Sequence, residues 1–203
     1  MGVGRFITLE GGEGSGKSTQ GRLLAEALRA DGIDVVLTRE PGGTPGAEAI
    51  RGLLVSGEDS RWTAWSEALL MTAARVDHVE RVIRPALARG ATIICDRFID
   101  STRAYQGAGR GLEDAALIDL HNEAVGLWPD ITLVLRLAAA DGLARAAERG
   151  DAEARFEGAG AEFHARIDDF FAMLPGAEPC RCRAINAAGS IEDVSQRIRA
   201  ALC

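Results

Sequence analysis

Phe6-Ile7-Thr8-Leu9-Glu10-Gly11-Gly12-Glu13-Gly14-Ser15-Gly16-Lys17-Ser18-Thr19 is the stretch that decides the fold. Its first four residues are continuously apolar or β-branched, the composition of a strand covered on both faces in a parallel sheet. Gly11 to Ser18 then fits G-x-x-x-x-G-K-[ST], and a helical pattern starts at Lys17. Glycines let the backbone N–H groups curl inward around phosphate, and the helix N-terminus adds its positive dipole end at the same point. In such a loop Lys17 reaches the β and γ phosphates of a nucleotide, and the Ser18 hydroxyl ligates magnesium. A chance glycine-rich turn has no reason to carry the whole pattern between a strand and a helix.

The same alternation continues outward. Val35–Leu37, Thr92–Cys95 and Ile131–Leu135 read as short buried strands, and Arg183–Asn186 is a weaker fifth. Helices are expected at Lys17–Ala30, Gly46–Val55, Thr63–Arg89, Leu112–Gly126, Ala139–Arg149, Ala161–Leu174 and Ile191–Leu202. Pro85 should kink or interrupt the third of these. Strands alternating with helices predict an α/β architecture: a five-stranded parallel sheet flanked by helices on both faces, with right-handed crossovers. No repeat or linker splits the 203 residues, so one domain spanning 1–203 is expected. Gly150–Gly160, rich in Gly, Ala and charge, reads as an exposed, mobile flap.

Composition narrows the function classes. A 47% hydrophobic chain can build a real core. A net charge of -7 argues against a general nucleic-acid surface but leaves room for an anionic small molecule held by local arginines. No apolar run approaches the ~20 residues of a membrane span, and Met1–Glu10 lacks the features of a secretory signal. Cys95, Cys180, Cys182 and Cys203 have no zinc spacing and read as reduced thiols of a cytoplasmic protein.

Asp96 follows the strand Thr92–Cys95, at the sheet edge where ligands of open α/β folds gather, and is the second candidate for magnesium. Two dense clusters also follow strands: Thr38-Arg39-Glu40-Pro41-Gly42-Gly43-Thr44-Pro45, and Asp96 to Gly111. Each opens with an arginine at the strand end, Arg39 and Arg97, and two planar guanidinium groups there suit one phosphate of an acceptor.

The segments LEGGEGSGKST, TREPGGT, ALLMTAAR and DRFIDSTRAYQGAGRG resemble those of thymidylate kinases, in that family's order and at its separations. The match covers residues 9 to 111 well and the flap more loosely. It implies the P-loop nucleoside-monophosphate-kinase fold, transfer of the γ-phosphate of ATP to dTMP with Mg2+, and a homodimer, with no nucleic-acid or membrane partner. By the same resemblance Gly11, Gly12, Glu13, Gly14, Ser15, Gly16, Lys17, Ser18 and Thr19 bind ATP. Arg39 and Arg97 hold the dTMP phosphate, Arg75 meets the thymine edge with Thr102, and Tyr105 packs near the deoxyribose. Ser101 and Gln106 complete the dTMP site, and Glu13 meets the sugar 3′-hydroxyl.

Two departures from the family pattern bear on mechanism. Met71 stands where many members place an aromatic on thymine; it lies four residues before Arg75, on the same helix face. A thioether can serve there, or Met71 is core filler. Gly14 stands where some members carry a basic residue, so the charge must come from a lid at about 145–160. That segment is poorer in arginine than usual, with Ala147 at a common arginine position and Arg145, Arg149 and Arg155 retained. Arg149, then Arg155, is the expected catalytic arginine alongside Lys17, Arg97 and Glu13. Another P-loop nucleoside-monophosphate or small-metabolite kinase is the nearest alternative. A nucleotide-dependent switch protein would need an N-K-x-D motif, which the chain lacks.

Overall fold

Five strands form one sheet in a computed structural model that describes residues 4–57, 61–137, 142 and 160–202. They are β1 (Phe6–Glu10), β2 (Val35–Arg39), β3 (Thr92–Asp96), β4 (Ile131–Arg136) and β5 (Cys182–Asn186). Their order is β2-β3-β1-β4-β5, and every pairing is parallel. The weakest expected strand therefore forms, as the edge strand β5. Register aligns Leu9 of β1 and Arg39 of β2 with Asp96 of β3, so the segments expected to carry chemistry end at one sheet edge.

The strands look uniformly apolar, yet each face is distinct because side chains alternate. Ile7, Leu9, Ile94, Leu133 and Leu135 pack toward α1 (Lys17–Ala30) and its residue Leu24. Phe6, Ile93 and Cys95 pack on the other face with Phe98, Val79 and Ile83. Val134 joins Tyr105, Phe163 and Phe171 in a third cluster on that side.

The helices α2 (Pro45–Val55) and α3 (Ala64–His78) follow β2. The expected helix Thr63–Arg89 is real but not uniform. A π-helical turn, Val79–Ile83, separates α3 from the short α4 (Arg84–Ala88). Pro85 explains it: its ring would collide with the carbonyl four residues back, and it has no N–H to donate. A wider turn just before it accommodates both defects. After β3 come α5 (Ile99–Thr102) and a second π-helical stretch, Arg103–Gly109, which the sequence pattern left unassigned. The remaining described helices are α6 (Asp114–Ala124), α7 (Ala161–Ala177) and α8 (Ile191–Ala201). The expected helix Ala139–Arg149 lies outside the described residues apart from Gly142. Among the described residues no helix is long and apolar enough to cross a membrane.

Candidate active site

The loop after β1 follows the glycine logic of its sequence. Gly11, Gly14 and Gly16 have φ of 136°, 66° and 91°, conformations that a side chain disfavours. No side chain caps α1 at Gly16, so its first N–H groups remain for an anion. The Lys17 ammonium donates to the carbonyls of Gly11 (3.1 Å) and Gly12 (2.8 Å). Burial, seconded by the Arg97 cation, lowers its pKa to about 8.

Gly14 is crowded for a further reason. A β-carbon there would collide with the backbone carbonyl of Gly142, and one on Gly142 would come within 2.5 Å of the Glu13 carbonyl oxygen. Two glycines thus let the chain at 142 lie directly on the phosphate loop.

Ser18 Oγ donates to Asp96 Oδ2 at 2.5 Å, joining the first turn of α1 to the end of β3. A hydroxyl and a carboxylate are hard oxygen donors that fit magnesium, which takes one or two protein ligands and fills its remaining positions with phosphate and water oxygens. No cluster of three His, Cys, Asp or Glu suited to a metal occurs among the described residues.

One cavity of about 370 Å³ opens beside this pair. Glu13, Gly14, Gly16, Lys17, Ser18 and Asp96 line it from the loop side. Arg39, Met71, Arg75, Arg97, Ser101, Thr102, Tyr105 and Gln106 line it from the other. Gly11, Gly12, Ser15 and Thr19 do not line it. Arg149 and Arg155, with Arg145 and Ala147, lie outside the described residues.

Within the cavity the Arg97 guanidinium donates to Glu13 Oε1 (2.8 Å) and Ser101 Oγ (3.1 Å), and lies over the Tyr105 ring. Tyr105 Oη donates to the same Glu13 oxygen at 2.6 Å. Burial alone would raise the Glu13 pKa, but Arg97, Lys17 and the Tyr105 hydrogen bond outweigh it and hold it at about 2. Arg39 is half-exposed and donates to both oxygens of Glu48 on α2, at 3.2 and 3.3 Å.

Arg75 is 2% exposed and held on two sides. Its Nε donates to Glu40 Oε2 at 2.7 Å and its Nη2 to Thr102 Oγ1 at 3.0 Å. Its Nη1 is buried without a hydrogen-bond partner. Glu40 Oε1 in turn accepts from His78 Nδ1 at 2.9 Å.

Several contributors escaped sequence reasoning. Glu40 anchors Arg75 from within the cluster after β2, where only Arg39 drew notice. Arg51, on α2, lines the cavity and donates to the Pro41 carbonyl at 2.9 Å. Glu67 accepts from Gln106 Nε2 at 2.6 Å. Glu10, fully buried on β1, accepts from the backbone N–H groups of Phe98 (2.8 Å) and Ser101 (3.2 Å) and from Ser101 Oγ (2.6 Å). The available signal was a charged residue inside an otherwise apolar strand or helix face.

Comparison with known proteins agrees with this geometry. The family model described as thymidylate kinase matches residues 9–198. A thymidylate kinase of Caulobacter vibrioides is 56% identical over 200 residues, covering 98% of this chain and 95% of that protein. One from Rhizorhabdus wittichii is 54% identical over 201 residues, covering 98% and 97%. The crystal structure of thymidylate kinase from Ehrlichia chaffeensis superposes with a TM-score of 0.81 at 36% identity, covering 100% of this chain and 99% of that one. Full-length matches of this strength, on a parallel sheet with the phosphate loop at its central strand, mean that the chain belongs to the thymidylate kinase family.

Proposed function

We propose that this enzyme transfers the γ-phosphate of ATP to dTMP, giving dTDP and ADP in the supply of dTTP. One observation carries the reading: the Lys17 ammonium and the guanidinium groups of Arg39, Arg75 and Arg97 line a single cavity. Donor triphosphate and acceptor monophosphate therefore have cationic groups around one shared space. The acceptor oxygen already belongs to an anionic phosphate, so the protein needs no strong base. It must place that oxygen in line and offset charge on the transferred group.

In this reading Arg39 and Arg97 hold the dTMP phosphate, with Ser101 steadying Arg97. Glu13 accepts from the sugar 3′-hydroxyl, and Tyr105 packs where a 2′-hydroxyl would project. Arg75, Thr102 and Gln106 meet the base, and Met71 contacts its face. Ser18 and Asp96 are the oxygen pair assigned to magnesium, which when bound neutralises charge on the β and γ phosphates. The one domain, 1–203, includes a lid at about 145–160, and Arg149, then Arg155, is its transition-state cation. The enzyme is read as cytoplasmic, where ATP is made, and as a homodimer. Leu53, Trp65 and Leu69, exposed on α2 and α3, offer an apolar face for the second copy.

ADP release measured with dTMP, dUMP, AMP, GMP and shikimate tests the reaction. Turnover is expected with dTMP first; preference for any of the last three rejects the assignment. For the lid, Arg149→Ala is expected to lower kcat at least ~10²-fold with dTMP affinity nearly unchanged, since such cations contribute ~10³–10⁵ elsewhere. An unaltered kcat removes Arg149 from the role.

A further inference from the structure

We propose that Glu67 sets the base selectivity of the cavity by fixing which end of the Gln106 amide faces the substrate. The inference rests on the dTMP reading above and deepens it.

Glu67 lies in the first turn of α3 and is 0% exposed. Its Oε1 accepts from Gln106 Nε2 at 2.6 Å and sits 3.3 Å from Arg110 Nε. A glutamine amide has nearly the same shape either way round but opposite hydrogen-bonding sense at its two ends, so its neighbours choose the orientation. A carboxylate only accepts, and therefore draws the nitrogen to its own side. Reversing the amide would set two buried acceptors against each other and lose a charge-assisted hydrogen bond.

The consequence appears at the other end of the amide. Gln106 is 1% exposed and lines the cavity, and with its Nε2 held by Glu67 the oxygen is the end of the amide turned away from that carboxylate. Arg75 lines the same cavity, and its Nη1 is a buried donor without a hydrogen-bond partner. In the proposed reading Gln106 supplies an acceptor to the base and Arg75 a donor. Thymine and uracil present N3–H beside the O4 acceptor and match both. Cytosine presents an N3 acceptor beside an N4 amino donor and mismatches both. Glu67 is a positioning residue: it acts on the base only through Gln106.

The test is Glu67→Gln in the full chain, with kcat and KM measured for dTMP, dUMP and dCMP at saturating ATP. An amide at 67 can receive either end of Gln106, so both orientations become available. The dTMP-to-dCMP ratio of kcat/KM is expected to fall at least ~10-fold. The change should lie in KM, with KM for ATP unchanged and dUMP moving in parallel with dTMP. Equal losses for dTMP and dCMP would mean a merely structural residue and overturn the proposal. A measurement on the unaltered enzyme covers a variant that does not fold: N3-methyl-dTMP, which lacks the N3 donor, is expected to bind at least ~100-fold more weakly than dTMP. Equal binding overturns the proposal, because no acceptor then reads N3. If the unaltered enzyme turns over no dTMP, the proposed function itself falls, and this inference with it.

Discussion

Arg97 carries its guanidinium into the cavity from a backbone with φ of 68°, the left-handed region that a non-glycine residue enters at a cost of about 1–2 kcal/mol. Glu10 helps to hold it there, accepting the N–H groups of Phe98 and Ser101 just beyond the bend. Burial, seconded by the like charge of Asp100, pushes the Glu10 pKa up to about 7 from 4.5. His121, between Phe98 and Trp128, is held down to about 4 from 6.5 by burial, with the Arg75 cation second. The two groups tilt stability in opposite directions. The raised value at Glu10 gives a contribution complete below pH 4.5 and lost as pH rises through 7. The lowered value at His121 gives one complete above pH 6.5 and lost as pH falls to 4. Between pH 4.5 and 6.5 they nearly cancel. Glu10→Gln keeps the two backbone hydrogen bonds through its amide oxygen, reverses the one with Ser101 Oγ, and removes one titration. On acidification across that window its unfolding equilibrium should shift toward the unfolded state by up to about tenfold per pH unit more than in the parent. Urea titrations at pH 4.5, 5.5 and 6.5 measure this, and parallel profiles would refute it. Residues such as Lys17, Ser18 and Arg97 were legible in the sequence because their chemistry is spelled out locally. Glu10 and Glu40 were not, because their meaning lies in partners 88 and 35 positions away.

A single stripe of α3 carries Met71 and Arg75, which line the cavity, and Glu67, which holds the cavity residue Gln106. Glu67, Met71, Arg75 and His78 recur at spacings of four, four and three, so they share one face of the helix. The pairing of Met71 with Arg75 was visible from that spacing alone; its extension to Glu67 and His78 was hidden, because a buried acid and imidazole look like surface polarity until a partner appears. Met71 does not divide cleanly between base contact and core filler. It is half-buried against the cluster of Tyr105 and Phe163, and it also lines the cavity. Met71→Ala is expected to raise KM for dTMP by about tenfold, the scale of roughly 1–2 kcal/mol of lost apolar contact, with kcat within about threefold. Steady-state kinetics decide it: an unchanged KM would make the side chain pure packing. The π-helical stretch Arg103–Gly109 was unreadable for a different reason. Its wide turns turn Tyr105 and Gln106 inward through tertiary packing, and no sequence period announces them.

Across the whole molecule, five strands paired in parallel followed from continuous apolar runs alternating with helical ones, and the structure bears that out; the order β2-β3-β1-β4-β5 was not read from the sequence. A buried charge cluster ties α5 to the segments at 178 and 181. Asp100 is 0% exposed and receives Arg103 (3.0 Å) together with both terminal nitrogens of Arg181 (2.7 and 2.8 Å), 81 residues away. Glu178 bridges the same two arginines. Asp100→Asn leaves two mostly buried cations under-compensated and should reduce unfolding stability by about 3–5 kcal/mol. Denaturant unfolding at pH 7 tests this, and a loss below about 1 kcal/mol would show that Glu178, together with Asp114, which accepts from Arg103 at 2.8 Å, suffices alone.

The paired glycines at 14 and 142 bear on how this protein can change over generations. With the proposed lid arginine as transition-state cation, moving that charge into the phosphate loop would take an arginine or lysine at 14, and the backbone of Gly142 already occupies that volume. A single substitution there meets a backbone, which cannot swing aside as a side chain can. The switch is therefore gated by order: the backbone at Gly142 has to shift before a side chain can enter at 14.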